Sequence, residues 1–183
     1  MARHIRFILP LATALLLGVT PATASTALVD QTGAPYAIEA RHATPVVLTF
    51  VAAHCKDTCP LINAQFATVQ QQISRTHLPL TLVTVTLDPE HDTARDMQKL
   101  ATTFHANPQT WHLLAGNAIA VHRIMQRFGA YASRGGDGYA DVHTTFVYLL
   151  NQHGHLVKTI LASTQLPQDL FAEVLRDWGK LSA

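Results

Sequence analysis

Cysteines, aromatic residues and any excess of one charge are scarce in this sequence. The 183 residues include two cysteines and 7% aromatic residues, and 13 basic residues stand against 12 acidic ones. Without a second cysteine pair, a structural zinc site with four protein ligands is disfavoured. Because the charges nearly balance, the composition gives no reason to expect a nucleic acid or an anionic membrane as a partner.

The first 24 residues have the features of a secretory signal peptide. Arg3 and Arg6 supply a positive start, an apolar stretch covers 7–19, and small residues place the expected cleavage before Ser25. The apolar stretch is too short to favour a stable membrane span. We therefore expect export to the periplasm. Retention of 1–24 as an uncleaved anchor is the alternative, and only then would the protein associate with the membrane.

The remaining residues, 25–183, have the length and apolar content of one globular domain. A polar turn is predicted at 30–33, and a glycine-rich loop at 129–141. Strands are predicted at 45–51, 80–87, 111–115, 144–150 and 156–161. Helices are predicted to begin near Leu61, Thr93, Asn117 and Pro167. The order predicts an α/β protein with a thioredoxin-like fold: a mixed central sheet, helices on both faces and an N-terminal β-hairpin.

The two cysteines lie in the sequence Cys55-Lys56-Asp57-Thr58-Cys59-Pro60, between the first long strand and the next helix. Free backbone N–H groups at a helix start favour a thiolate there. The four-residue spacing places both sulfurs on one side of the turn, where they can share a metal ion. Two thiolates suit Cu(I). In an oxidising compartment the pair can also form a disulfide, although so short a loop makes a purely structural bridge a weak explanation.

A third ligand has to come from elsewhere in the chain, and His143 is the candidate. It directly precedes the predicted strand 144–150, and in thioredoxin-like proteins the segment entering this strand lies against the cysteines. The competing explanation is a structural histidine. The other histidines have weaker claims: His54 is expected to point away from Cys55, and His153 and His155 flank a turn glycine, where they could bind a metal at the surface. The remaining ones are read as structural or surface groups, His91, His105, His112 and His122 among them.

Several segments together resemble the Sco/SenC family, which includes proteins that supply copper to cytochrome c oxidase. The resemblance covers nearly all of 25–183. The matching segments, in chain order, are residues 28–33, Phe50, the CxxxCP motif at 55–60, the DPExDT-like residues 88–93, residues 111–116 and residues 141–144.

The resemblance implies that Cys55, Cys59 and His143 bind copper, as Cu(I), Cu(II) or both, and that the pair is redox-active. It also places Asp88 near the site; the other interpretation of Asp88 is a turn-initiating Asp-Pro. The function implied is a periplasmic copper metallochaperone that delivers copper to a cytochrome c oxidase subunit or to another periplasmic copper protein.

This sequence departs from the family pattern at two places. Lys56 stands where proline is common, and Val142 replaces the aspartate that commonly precedes the histidine. An aspartate lies one position earlier, at Asp141, and is the other candidate for a carboxylate that supports the ligands. The displacement puts the copper affinity and the preferred oxidation state in question, whereas the three ligands are all present.

Two other functions use the same residues. In a thiol-disulfide oxidoreductase, Cys55 would be the nucleophile and Cys59 the resolving thiol. In a copper or redox sensor, the same site would have no delivery role. A metallochaperone is favoured over an enzyme because His143 stands where thioredoxin-like oxidoreductases usually have a cis-proline. A peroxiredoxin-like peroxidase is disfavoured because Ala52 and Ala53 stand where its threonine is expected.

Overall fold

The computed structural model describes residues 28–56, 58–143 and 145–183, without the side chains of 141–143. The predicted signal peptide at 1–24 lies outside the described residues. The strands are β1 Leu28–Val29, β2 Pro35–Tyr36, β3 Val46–Val51, β4 Thr81–Thr86, β5 Trp111–Leu114, β6 Ala132–Arg134, β7 Ala140–His143, β8 Phe146–Leu150 and β9 Leu156–Leu161. The helices are α1 Thr58–Thr76, α2 Ala94–Thr103, α3 Ala118–Phe128, α4 Leu166–Arg176 and α5 Trp178–Leu181.

A five-stranded mixed sheet in the order β5-β4-β3-β8-β9 forms the centre of the protein. The first three of these strands run parallel, and β8 and β9 are antiparallel to their neighbours. Strand β3 is buried along its whole length because it lies between β4 and β8. The β-branched apolar run at 45–51 therefore becomes the central strand that its composition predicts.

Successive side chains of β3 enter two separate hydrophobic cores, one on each face of the sheet. Val47 and Val51 pack with residues of α1 and α4, whereas Leu48 and Phe50 pack with residues of α3. This alternation follows from the two-residue period of a strand. The sheet is thus covered by helices on both faces, as the sequence predicts. Within the described part of the chain, no helix combines the length and apolarity needed to cross a bilayer.

The N-terminal hairpin closes the outer edge of the sheet at β5. Its turn is held by the Asp30 carboxylate, which accepts from the backbone N–H groups of Thr32 and Ala34 at 2.8 and 3.1 Å. The Gln31 side chain pairs with the β5 backbone, donating to the Trp111 carbonyl at 2.7 Å and accepting from the Leu113 N–H at 2.8 Å. The predicted hairpin at 30–33 is therefore confirmed.

Two helices have the termini that their sequences predict. Thr93 and Asp96 form a reciprocal capping box at the start of α2. Asn117 caps α3 by accepting from the Ala120 N–H, and Gly129 ends this helix in the left-handed conformation. Helix α1 begins at Thr58 rather than near the predicted Leu61, so that Cys59 lies in its first turn.

The predicted glycine-rich loop at 129–141 is wrong in one respect, because it contains most of a second β-hairpin. Strands β6 and β7 pair in antiparallel fashion, with Ala132 opposite His143. His143 consequently ends β7 instead of opening the strand that follows, which begins at Phe146. Glycines interrupt the alternation of apolar and polar residues in this segment, so the sequence pattern does not predict the short strands.

Gly154→Ala is expected to lower the free energy of unfolding more than Gly33→Ala. Both glycines have positive φ, +72° and +86°, where alanine costs about 1–2 kcal/mol. A Cβ at Gly154 would also lie 2.6 Å from the Ile38 carbonyl oxygen, whereas nothing lies within 4 Å of one at Gly33. Urea denaturation of both variants and the wild type measures the difference. Equal losses would contradict the close packing at Gly154.

Candidate metal centre

The two cysteines lie where β3 ends and α1 begins. Cys55 follows β3 and is partly exposed, whereas Cys59 lies in the first turn of α1 and is buried. No disulfide joins them, and the Cys55 side chain is in hydrogen-bonding contact with Cys59. The structure therefore brings the two sulfurs together on one side of the turn, as the CxxxC spacing predicts.

The environment of Cys59 favours the neutral thiol. Burial raises the pKa of this thiol far above its usual range, and contact with Cys55 and the charge of Asp92 raise it further. The backbone N–H of Ala52 donates to the Cys59 sulfur at 3.4 Å, and this hydrogen bond acts in the opposite direction. A metal ion bound at Cys59 would therefore have to displace a firmly held proton.

A buried carboxylate, Asp92, supports the segment that leads to Cys55. Its two oxygens accept from the Ala53 backbone N–H at 2.9 Å and from the Thr86 hydroxyl at 2.6 Å, and they contact Nδ1 of His54 at 3.0 Å. The side chain has no solvent exposure. These contacts join the end of β4 to the loop between β3 and α1.

A second buried carboxylate, Asp88, supports the β6–β7 hairpin. It accepts from the backbone N–H of Ala140 at 3.0 Å and contacts Nδ1 of His91 at 2.9 Å. Arg134 of β6 approaches it at 3.5 Å. Asp88 therefore does more than initiate a turn, because it anchors the first residue of the strand that ends at His143.

Tyr139 connects the two carboxylate–histidine pairs. Its ring contacts the imidazoles of both His54 and His91, with ring centroids 4.7 and 4.5 Å away. Because His54 contacts Asp92 and His91 contacts Asp88, the tyrosine joins the hairpin to the cysteine loop and to the segment that follows β4. We call this arrangement, formed by His54, Tyr139 and His91, the tyrosine clamp.

A cavity of about 300 Å³ opens beside Cys55. Its walls come from the cysteine loop and from the tip of the hairpin: His54, Cys55, Lys56, Gly136, Asp137, Tyr139 and Ala140. Cys55 is therefore the sulfur that a small solute or a partner protein can reach.

His143 is the last residue of β7. Its strand is anchored by Asp88 at Ala140, three residues earlier, and pairs with β6. The side chains of Asp141 and His143 lie outside the description, so their predicted roles as supporting carboxylate and ligand remain predictions. Among the residues whose side chains are described, no three histidine, cysteine or carboxylate groups form a cluster that could hold a metal ion.

Sequence reasoning did not find the tyrosine clamp or the role of Asp92. The sequence predicts that His54 points away from Cys55, and it indicates a structural or surface role for His91. One signal was present, because Asp88 and Asp92 both lie in the segment that resembles the family. His112 is held elsewhere, by a contact with Asp30 at 3.1 Å.

The fold and the site define a thioredoxin-like α/β protein with a cysteine pair at the end of its central strand. The SCO1/SenC family model matches residues 20–178, and the chain belongs to this family. The SCO1 protein homolog of Bacillus subtilis is 19% identical over 142 residues, which cover 76% of this chain and 74% of the relative.

Solved structures of Sco proteins share the fold. Bradyrhizobium japonicum ScoI, solved with copper bound, is 23% identical and has a TM-score of 0.70, with 82% of this chain and 95% of that one covered. BsSco, described as a member of the Sco family of cytochrome c oxidase assembly proteins with a disulfide switch, is 19% identical. Its TM-score is 0.68, with 81% and 88% covered.

Asp92→Ala is expected to lower the free energy of unfolding by about 3 kcal/mol or more, because it leaves the Thr86 hydroxyl and the Ala53 N–H without an acceptor. Asp92→Asn is the matched control. Its amide oxygen can still accept from Ala53 and Thr86, and its NH₂ group can donate to Nδ1 of His54. Chemical denaturation should therefore show a much smaller loss for Asp92→Asn. Equal losses would mean that the negative charge, and not the set of hydrogen bonds, supports the loop.

Proposed function

We propose that this protein is a periplasmic copper metallochaperone in which Cys55, Cys59 and His143 hold the ion. The observation that carries the proposal is the contact between the two thiols, beside a hairpin whose strand β7 ends at His143. Two thiolates and one imidazole form a soft, three-coordinate set that suits Cu(I). The copper-bound state of the Bradyrhizobium relative supports the choice of metal.

The surrounding residues would position these ligands. Asp92 holds the cysteine loop, Asp88 holds β7, and the tyrosine clamp joins the two. Asp141 is the remaining candidate for a carboxylate that orients the His143 imidazole from one position further away than is common in the family. The ligands would thus come from two separately anchored segments, so that one can move relative to the other.

Copper would leave by ligand exchange through the partly exposed Cys55, at the cavity next to the clamp. We propose a cytochrome c oxidase subunit, or another periplasmic copper protein, as the acceptor; the description of BsSco as an oxidase assembly protein supports the first. Oxidation of the dithiol to a disulfide would remove both sulfur ligands and prevent binding. The predicted signal peptide at 1–24 supports a periplasmic location.

The unequal exposure of the two cysteines favours a second candidate, a thiol-disulfide oxidoreductase. Cys55 is partly exposed and would attack a substrate disulfide, whereas the buried Cys59 would resolve the mixed disulfide. The raised pKa of Cys59 argues against rapid resolution, because little thiolate is present at neutral pH.

Copper stoichiometry of the reduced protein tests the metallochaperone proposal. We expect the wild type to bind one Cu(I) tightly. His143→Ala should bind Cu(I) at least about 100-fold more weakly, as measured by competition with a Cu(I) chelator. His122→Ala is the matched control, since His122 is exposed on α3 and should leave binding unchanged. Little copper in the wild type, together with rapid thiol exchange with a disulfide substrate, would overturn the proposal in favour of the oxidoreductase.

The tyrosine clamp should control how fast copper leaves. Tyr139→Ala removes the ring that joins His54 to His91, so release of Cu(I) to an excess of chelator should be about tenfold faster. Tyr139→Phe keeps the ring and should release copper at the wild-type rate. Stopped-flow absorbance measures both. An unchanged rate in Tyr139→Ala would show that the clamp does not act on the site.

A further inference from the structure

Two exposed histidines lie far from the thiols, in the turn that joins β8 to β9. His153 and His155 flank Gly154, and their ring centroids are 6.2 Å apart with planes inclined at 32°. The side chains face the same region of solvent, separated by one buried glycine. Such a pair of imidazoles on a short turn is a potential chelate for a transition-metal ion.

The turn that carries them is ordered by its own hydrogen bonds. The Asn151 side-chain oxygen accepts from the backbone N–H groups of His153 and His155, both at 3.0 Å. The Asn151 N–H donates to the His155 carbonyl at 2.9 Å, and the Gly154 N–H donates to the Asn151 carbonyl at 2.9 Å. The two histidine backbones are therefore fixed relative to each other before any ion arrives.

The turn is also fixed against the rest of the domain. Gly154 packs so closely on the Ile38 carbonyl that a Cβ would lie 2.6 Å from it. Arg127 of α3 donates to the Gly154 carbonyl at 2.7 Å. These contacts leave the imidazoles as the mobile part of the turn, so chelation would cost only the entropy of two side chains.

The distance between the rings is compatible with one shared ion. An imidazole nitrogen binds a zinc-like ion at about 2.0–2.1 Å, which places the ion about 3.2 Å from the ring centroid. Two rings on one ion can therefore have centroids up to about 6.4 Å apart. The observed 6.2 Å lies within this limit. Small rotations of the two side chains would bring the rings closer and reduce the nitrogen–metal–nitrogen angle.

The charges around the turn do not prevent cation binding. Arg127 contacts the turn, and its charge is paired with that of Glu39 at 3.5 Å. The backbone of His42 also lies close to the turn. Its side chain is held elsewhere, because Nε2 contacts the Ile38 carbonyl at 3.0 Å and the ring stacks on Tyr36. His42 is thus engaged elsewhere, and the candidate site consists of the two turn histidines.

We propose that His153 and His155 form a surface site for one divalent transition-metal ion, distinct from the thiol centre. Two neutral imidazoles with water in the remaining positions suit Cu(II), Ni(II) and Zn(II), and Cu(II) binds such nitrogen ligands most tightly. The proposal does not depend on the function of the cysteines.

The sheet separates the two sites. Leu150, at the end of β8, pairs with Val46, the first residue of β3, whereas Cys55 follows the other end of β3. Six strand residues span about 20 Å at about 3.3 Å each, so one ion cannot contact both sites.

Cu(II) titration of the full chain carrying Cys55→Ser and Cys59→Ser tests the proposal with the thiols removed. We make His153→Ala and His155→Ala separately in this parent. Each variant should bind one Cu(II) equivalent fewer than the parent, or should bind that equivalent at least tenfold more weakly. His122→Ala in the same background is the control and should bind as the parent does. The Cu(II) electron paramagnetic resonance spectrum should lose its two-imidazole nitrogen couplings in His153→Ala but keep them in His122→Ala.

Two results would overturn the proposal: unchanged Cu(II) binding in both turn variants, or the same loss in His122→Ala. Thermal unfolding of each variant would show whether a loss of binding reflects loss of folding, which is not expected at exposed positions. Cu(I) binding by the intact dithiol should be unaffected by His153→Ala. A failure of this proposal is therefore distinguishable from a failure of the metallochaperone proposal.

Discussion

The buried Asp92 carboxylate is the contact on which the arrangement of the cysteine loop depends. A carboxylate with no solvent exposure is stable only where donors surround it, and Asp92 finds them at Thr86, Ala53 and His54. Those donors come from the end of β4 and from the residues directly before Cys55. Because this acid has no access to water, it needs these protein donors, and its hydrogen bond with Ala53 holds the loop that leads to Cys55 against the sheet.

The buried carboxylate of Asp88 supports the β6–β7 hairpin in the same way. It lies four residues before Asp92, and the two acids point their oxygens at different segments, one at the cysteine loop and one at β7. A single short segment after β4 thus organises both halves of the proposed copper site. Tyr139 then joins the halves through two histidines, each oriented by one of these carboxylates.

The two proposed metal sites differ in chemistry as well as in position. Thiolates at one end of the sheet suit Cu(I), whereas imidazoles at the other end suit a divalent ion. The sheet is rigid, with β3 buried on both faces, so neither site can reach the other by a small movement. The two sites would therefore bind their ions independently.

Local signals determined most of the fold in advance. The apolar run of β3, the capping box of α2 and the caps of α3 depend on residues close in sequence, so composition and spacing predict them. The CxxxC spacing likewise predicts the contact of the thiols, and family resemblance predicts a place for Asp88. Only the tertiary structure decided the rest: the β6–β7 hairpin, the tyrosine clamp and the role of Asp92. The hairpin is local in sequence, but its glycines hide the strand pattern. The contacts of the clamp with His54, of Asp92 with His54 and of Asp88 with Ala140 join residues 38 to 85 positions apart, and no local pattern records which distant partner a side chain will meet once the sheet brings them together.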